Sequence, residues 1–166
     1  MDRERGQAMI DPDLSFRFDG TPPRKTLQAG RGLTADPEAP GGVRVFTRAA
    51  TRAEAFWMRE MFRRSLPPGW TPREGAARVR VELVYPARKR DRLAGDALIP
   101  HTVKPDADNL VKSLLDSMTR AGVWVDDAQV YSLTVQKWRG ARPRWAVFVA
   151  FDEAQRAEPK EQGRLF

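Results

Sequence analysis

Residues 104–130 of this chain read KPDADNLVKSLLDSMTRAGVWVDDAQV, and the fold follows from how they are read. Leu110, Val111, Leu114, Leu115 and Met118 recur at helical spacing and form one apolar stripe of an α-helix. Gly122 suits the left-handed residue that closes a helix, and Arg120 favours its negative end. At about 100° per residue, Asp108, Lys112 and Asp116 drift by only ~40° per step, so they share one polar stripe beside the buried one. Asp106 comes two residues earlier, just after Pro105, and Asp126 and Asp127 follow in the loop beyond the helix. These acids can meet only if the strand after the loop packs alongside the helix.

Outward from this segment the periodicity alternates. Downstream, Tyr131, Leu133 and Val135 alternate with Ser132, Thr134 and Gln136, and a turn at 139–143 closes a hairpin onto an apolar strand at 144–151. Upstream, Val79, Val81, Leu83 and Tyr85 face one way while Arg78, Arg80 and Glu82 face the other, a strand with one buried side. Thr51-Arg52-Ala53-Glu54 has the form of a capping box opening a helix to about residue 65, stopped by Pro67-Pro68-Gly69. Its Phe56, Trp57, Met61 and Phe62 are assigned to the core. Residues 43–46 read as a short extended piece, 19–42 as a Gly- and Pro-rich loop, functional or mobile, and 14–18 as a strand. The order βαβαββ implies a single α+β domain over 13–152, with two helices packed on a mixed four-stranded sheet. Residues 1–12 and 153–166 read as tails.

Composition sets the class. The chain has 166 residues with 41% hydrophobic, enough for one domain with a real core. Its longest apolar run, 145–151, is far too short to cross a bilayer, and its first twenty residues lack an apolar leader core, so the cytoplasm is the expected compartment. No cysteine is present and His101 is the single histidine, which excludes disulfides, thiolate metal sites, a cysteine nucleophile and any multi-histidine centre. The formal charge is +7, and of the 29 cationic residues only six are lysine, leaving 23 arginines. Planar guanidinium forks suit phosphate oxygens, so nucleic acid is the partner this charge favours. Arg24, Lys25, Arg88, Lys89, Arg90, Arg92 and Lys104 are the candidates for contacts to its backbone, and His101 reads as a polar loop residue, with contact to DNA or water as the alternative.

The acids at Asp106, Asp108, Asp126 and Asp127 stand out in so basic a chain. Clustered carboxylates repel, and oxygen-only ligands select hard cations such as Mg²⁺, with Mn²⁺ as a substitute. Such an ion serves phosphodiester cleavage, where Lys112 could add charge stabilisation on the phosphate. The alternative is that Asp108 is only an N-cap and Asp126-Asp127 only a turn.

The run Lys104-Pro-Asp-Ala-Asp-Asn-Leu-Val-Lys112, the step Leu115-Asp116, and the run 121–130, AGVWVDDAQV, resemble the signature of the RusA family of Holliday-junction resolvases. Phe18-Asp19-Gly20 with Pro22 and Lys25 resembles the family's first strand and basic loop more weakly. The resemblance implies that Asp106, Asp108 and Asp127 bind metal, with Asp126 a further candidate, and that Lys112 is the catalytic lysine. It assigns Asn109 a structural or supporting role. It further implies a magnesium-dependent homodimer, from a bacterium, phage or prophage, that nicks two opposed strands of a four-way junction in DNA recombination and repair. The products are 5′-phosphate and 3′-hydroxyl ends; no small-molecule cofactor or membrane is expected. Rival readings are a basic DNA-binding protein without nuclease activity, a scaffold whose acids are caps and turns, and an endonuclease on other branched DNA.

Overall fold

The computed structural model describes residues 12–24, 31–35, 38, 41, 43–47 and 49–152, with the side chains at 31–34, 43 and 45–47 outside the description. The two expected tails, apart from Pro12, and Lys25 also lie outside it. The elements in chain order are β1 (Leu14–Asp19), β2 (Arg31–Ala35), β3 (Val43–Thr47), α1 (Ala49–Ser65), β4 (Ala77–Pro86), β5 (Leu98–Pro100), α2 (Ala107–Ala121), β6 (Val130–Gly140) and β7 (Arg144–Phe151). Single 3₁₀ turns occupy Lys89–Asp91 and Asp127–Gln129.

The chain forms one α+β domain on a mixed five-stranded sheet ordered β1-β7-β4-β6-β5. β4 and β6 run parallel, and every other neighbouring pair is antiparallel. A parallel pair needs a long crossover, and the crossover from β4 to β6 is the segment that carries β5 and α2. The alternating strands bury one face: Phe16 from β1, Val79, Val81, Leu83 and Tyr85 from β4, and Trp145, Val147 and Val149 from β7. Met58 and Phe62 of α1 and Leu110, Leu114 and Met118 of α2 close over it. Phe62 meets Phe16 edge to face, with ring centroids 5.1 Å apart. On the other face the guanidinium groups of Arg17 and Arg80 lie over the Phe148 ring at 4.9 and 4.4 Å.

The structure departs from the sequence reading in four places. The sheet has five strands rather than four, because Leu98–Pro100 adds an edge strand antiparallel to the end of β6. Three residues are too few to show an alternating pattern, and this strand exists because the register brings it against Gly140. A Cβ on Gly140 would sit 2.8 Å from Leu98 Cδ2 and 3.0 Å from Val84 Cγ1. Second, part of the expected loop at 19–42 is β2, paired antiparallel with β3 in a separate two-stranded sheet. The element order is therefore longer than βαβαββ.

Third, α1 begins at Ala49, so Thr51 is not a cap: it is buried within the first turn. The Glu54 carboxylate accepts the Arg24 backbone N–H at 2.9 Å, a partner thirty residues away that no local motif reveals. Fourth, Phe56 and Trp57 are exposed, at 59% and 46%. The inward stripe of α1 passes through Thr51, Met58 and Phe62, and the aromatic pair falls off its edge.

Among the described residues no helix is long and apolar enough to cross a membrane.

Gly140→Val overpacks the β5–β6 contact and is expected to cost about 1–3 kcal/mol, read as a lower urea midpoint with an unchanged slope. An unchanged midpoint would show that β5 is not held by this close approach.

Candidate active site

The loop after α2 is anchored before it reaches its acids. Gly122 adopts φ 85° and Val123 N–H reaches back to Met118 C=O at 3.1 Å, closing the helix in a Schellman turn. Val123 and Trp124 then plunge into the core, where the Trp124 indole donates to Thr119 Oγ1 at 2.7 Å. Backbone bonds run from Arg73 N–H to Val123 C=O and from Val125 N–H to Arg73 C=O, at 3.4 and 3.2 Å. Gln129 completes the clamp. Its Oε1 accepts from the backbone N–H groups of Val125 and Asp126, at 3.1 and 2.9 Å, and its Nε2 donates to the carbonyls of Arg73 and Gly75, at 3.1 and 2.8 Å. That is the full capacity of one amide, spent on holding the turn that bears Asp126 and Asp127. Asp126 is itself engaged: its carboxylate caps the turn by accepting Ala128 N–H at 2.7 Å.

The other acids sit at the start of α2. Asp106 is the N-cap by backbone, its carbonyl accepting Leu110 N–H at 3.1 Å, while its carboxylate makes no capping bond. The alternative role for Asp108 as N-cap is therefore filled by its neighbour, and Asp108 lies exposed in the first turn. The approach to Asp106 is fastened from β6, where Lys137 Nζ donates to Val103 C=O at 3.0 Å and to Pro105 C=O. Burial pulls the Lys137 ammonium below its ordinary pKa, and the nearby Asp106 charge opposes that.

Asp108, Lys112 and Asp127, nineteen residues apart at the extremes, line one groove of about 420 Å³ with Val111, Leu115, Leu133 and Val135 as apolar walls. Leu133 is 42% exposed because it lines the groove at the edge of the helix-covered face, beside its buried register partner Val79. Asp106 instead lines an adjacent cavity with Arg24, Arg88, Lys104 and Arg139. Among the described residues no three carboxylates or imidazoles stand together as a ready metal cage. The chemistry of the donors nevertheless suits a hard cation, because Asp106, Asp108 and Asp127 offer oxygen alone and none is consumed as a cap or in an ion pair among the described residues.

Of the expected DNA contacts, Arg24, Arg88 and Lys104 converge on that adjacent cavity. Lys89 and Arg90 lie exposed on the 3₁₀ turn outside it, followed by Arg92 in the left-handed conformation at φ 47°. His101 stacks on the Tyr85 ring at 4.5 Å, and Tyr85 donates to Pro23 C=O at 2.9 Å. Sequence reading passed over Lys137 and Arg139, whose signal is only that a strand otherwise rich in apolar and neutral residues carries two cations at its end. It also passed over the role of Gln129, although that residue stands inside the motif.

A groove with a lysine and two free acids, flanked by a cavity lined with arginine, defines a candidate phosphodiester site on an α+β scaffold. The family model described as endodeoxyribonuclease RusA matches residues 31–150, and the chain belongs to that family of nucleases. The match begins past the 18–20 stretch. The crossover junction endodeoxyribonuclease RusA of Escherichia coli K12 is 46% identical over 39 residues, 24% of this chain and 32% of that protein. A Bacillus subtilis protein described only as uncharacterized protein YqaN is 35% identical over 63 residues, 38% of this chain and 44% of that one. The matched stretches thus span less than half the length of these relatives.

Replacing Gln129 by Leu removes four hydrogen bonds at once and takes from Asp126 N–H and Gly75 C=O their side-chain partner, with an expected loss of about 1–3 kcal/mol in urea unfolding. The lone His101 has a pKa below its ordinary 6.5, chiefly through burial, with Lys137, Arg139 and Arg88 adding repulsion and the bond to Lys104 C=O opposing. A depressed folded pKa means that the neutral ring's contribution to stability is complete above 6.5 and is lost as pH falls through the folded value. The proton NMR titration midpoint of the folded chain is expected below that of the same chain in urea; equal midpoints would contradict the burial.

Proposed function

We propose that this chain is a magnesium-dependent, structure-selective endonuclease that resolves four-way DNA junctions by paired symmetric cuts. The observation that carries the proposal is the groove in which Asp108 and Lys112 of α2 meet Asp127 from beyond it, within a family of endodeoxyribonucleases. In this reading Asp106, Asp108 and Asp127 hold the metal, with Asp126 limited by its capping bond to Ala128. A bound Mg²⁺, replaceable by Mn²⁺, supplies phosphate binding and charge neutralisation at the leaving oxygen.

The protein's own groups do the rest. Lys112 lies in the same groove as Asp108 and Asp127, so its ammonium can face the phosphate and stabilise charge as it builds there. The apolar walls Val111, Leu115, Leu133 and Val135 thin the water around that charge and strengthen its attraction to Lys112. The oxygen of water bonds to phosphorus, the P–O3′ bond breaks, and the proton passes to the departing 3′ oxygen or to solvent, leaving a 5′-phosphate and a 3′-hydroxyl. Two opposed nicks in a symmetric junction require two sites related by a two-fold axis, which is why the proposal includes a homodimer acting in recombination and repair. The cytoplasm of a bacterium or of a phage-infected cell is the matching compartment.

A synthetic four-way junction with mapped ends tests this. Wild type with Mg²⁺ is expected to cut symmetrically, and chelation to abolish cutting while leaving binding in place. Asp108→Asn should lose at least about 10²-fold in cleavage rate and hold the junction as tightly or more so, since a carboxylate beside phosphate repels it. Lys112→Ala should lose about 10²–10³-fold in rate. Equal cutting by wild type and Asp108→Asn, or binding with no cutting of any branched DNA, overturns the proposal. The second outcome would leave a basic DNA-binding protein.

A further inference from the structure

The cavity beside the groove has features that the cleavage chemistry does not explain. It measures about 520 Å³ and is lined by four cationic residues, Arg24, Arg88, Lys104 and Arg139, against one acid, Asp106. These residues arrive from separate segments: the stretch after β1, the end of β4, the approach to α2, and the end of β6. Four like charges converge at a cost unless something negative joins them. Asp91 answers only one: its Oδ2 lies 3.1 Å from Arg139 Nε, an ion pair in which that N–H makes no directed hydrogen bond.

Unsatisfied polar atoms concentrate here as well. Among the described residues four buried side-chain nitrogens lack a hydrogen-bond partner, and two of them, His101 Nδ1 and Arg139 Nε, belong to residues lining this cavity. Buried polar atoms without partners are rare in folded proteins and point to a missing ligand, ion or water. His101 is held in place for the purpose, its ring stacked on Tyr85 and its Nε2 directed at Lys104 C=O at 3.3 Å.

We infer that this cavity is an anion site that seats a backbone phosphate of the DNA, one flanking the phosphate to be cut. The inference rests on the nuclease reading for its choice of DNA as the source of the phosphate. Asp106 gives the geometry, because it lines this cavity while Asp108, two residues on, lines the groove, so one strand crossing the start of α2 meets both. Planar guanidinium groups can grip such a phosphate in bidentate fashion, and the volume leaves room for the flanking sugars. The site thereby sets the register of the strand over the groove. Arg139 and His101 join Arg24, Arg88 and Lys104 as its binding residues.

The single histidine makes the site directly observable. Inorganic phosphate added to the metal-free protein should shift the His101 ring resonances saturably, and chloride at equal ionic strength should not. Arg24→Gln with Arg88→Gln should abolish that shift, weaken junction binding by about tenfold or more at moderate salt, and flatten the salt dependence of binding by roughly one to two phosphate contacts. Arg88→Lys, which keeps the charge, should restore part of the affinity, and matched thermal midpoints would show that the variants fold. If saturating junction DNA leaves the His101 resonances unmoved, or the double variant binds the junction with wild-type affinity and salt slope, the inference fails. Phosphate that moves His101 while junction DNA does not would mark a site for free phosphate alone, which also overturns it. Junction cutting with an unresponsive His101 would count against this cavity only, whereas a responsive His101 without cutting would count against the nuclease reading only.

Discussion

The apolar stripe of α2 has one place to go, the helix-covered face of the sheet, and the geometry of the molecule follows from its burial there. Leu110, Leu114 and Met118 are fully buried. Each buried side chain of this kind contributes on the order of 2 kcal/mol, so the helix cannot rotate without a large loss. That constraint turns Asp108 and Lys112 outward onto the edge beside β6. It also brings Val123 and Trp124 down into the core at the end of the helix, so that the next residues emerge in the groove. A hydrophobic constraint therefore places charged groups that would not gather by themselves.

Holding them is the work of polar side chains outside the groove. Gln129 spends its whole hydrogen-bonding capacity on the turn after α2, and Lys137 clamps the carbonyls before it. One end of the helix is fastened from the 73–75 segment and the other from β6. The acids themselves are left with little local bonding, apart from Asp126. That separation, with supporting groups satisfied and working groups free, is what a site facing a charged ligand requires. The same logic extends to the basic cavity, where the cations gather but their hydrogen-bonding capacity is left incomplete.

Legibility varied with the range of the interaction involved. The helix at 107–121, its glycine stop, and the inward residues of β4 were legible, because each is written as a local period. The capping box at Thr51–Glu54 failed because Glu54 finds the Arg24 backbone N–H, and a contact over thirty residues leaves no trace in a four-residue motif. Phe56 and Trp57 looked like core on hydrophobicity alone, yet a helix covered on one side buries only one stripe. β5 was invisible because it is three residues long and forms only by pairing with the end of β6, about forty residues further along. For the site, the acids and Lys112 were legible as a motif, while the sorting of Asp106 from Asp108 into neighbouring cavities was not.

The sequence by itself determined the helix, the alternating strands, the positive charge and the motif that resembles one nuclease family, since periodicity, composition and short-range spacing are properties of the chain before it folds. Only the tertiary structure decided which groups meet. The parallel pairing of β4 with β6 sets α2 against β6, which brings Asp127 to Asp108 and Lys112. The convergence of four cations with His101 on one cavity likewise depends on four segments arriving together. Electrostatic and steric fit acts through space, and distance along the chain carries almost no information about it until the core has closed.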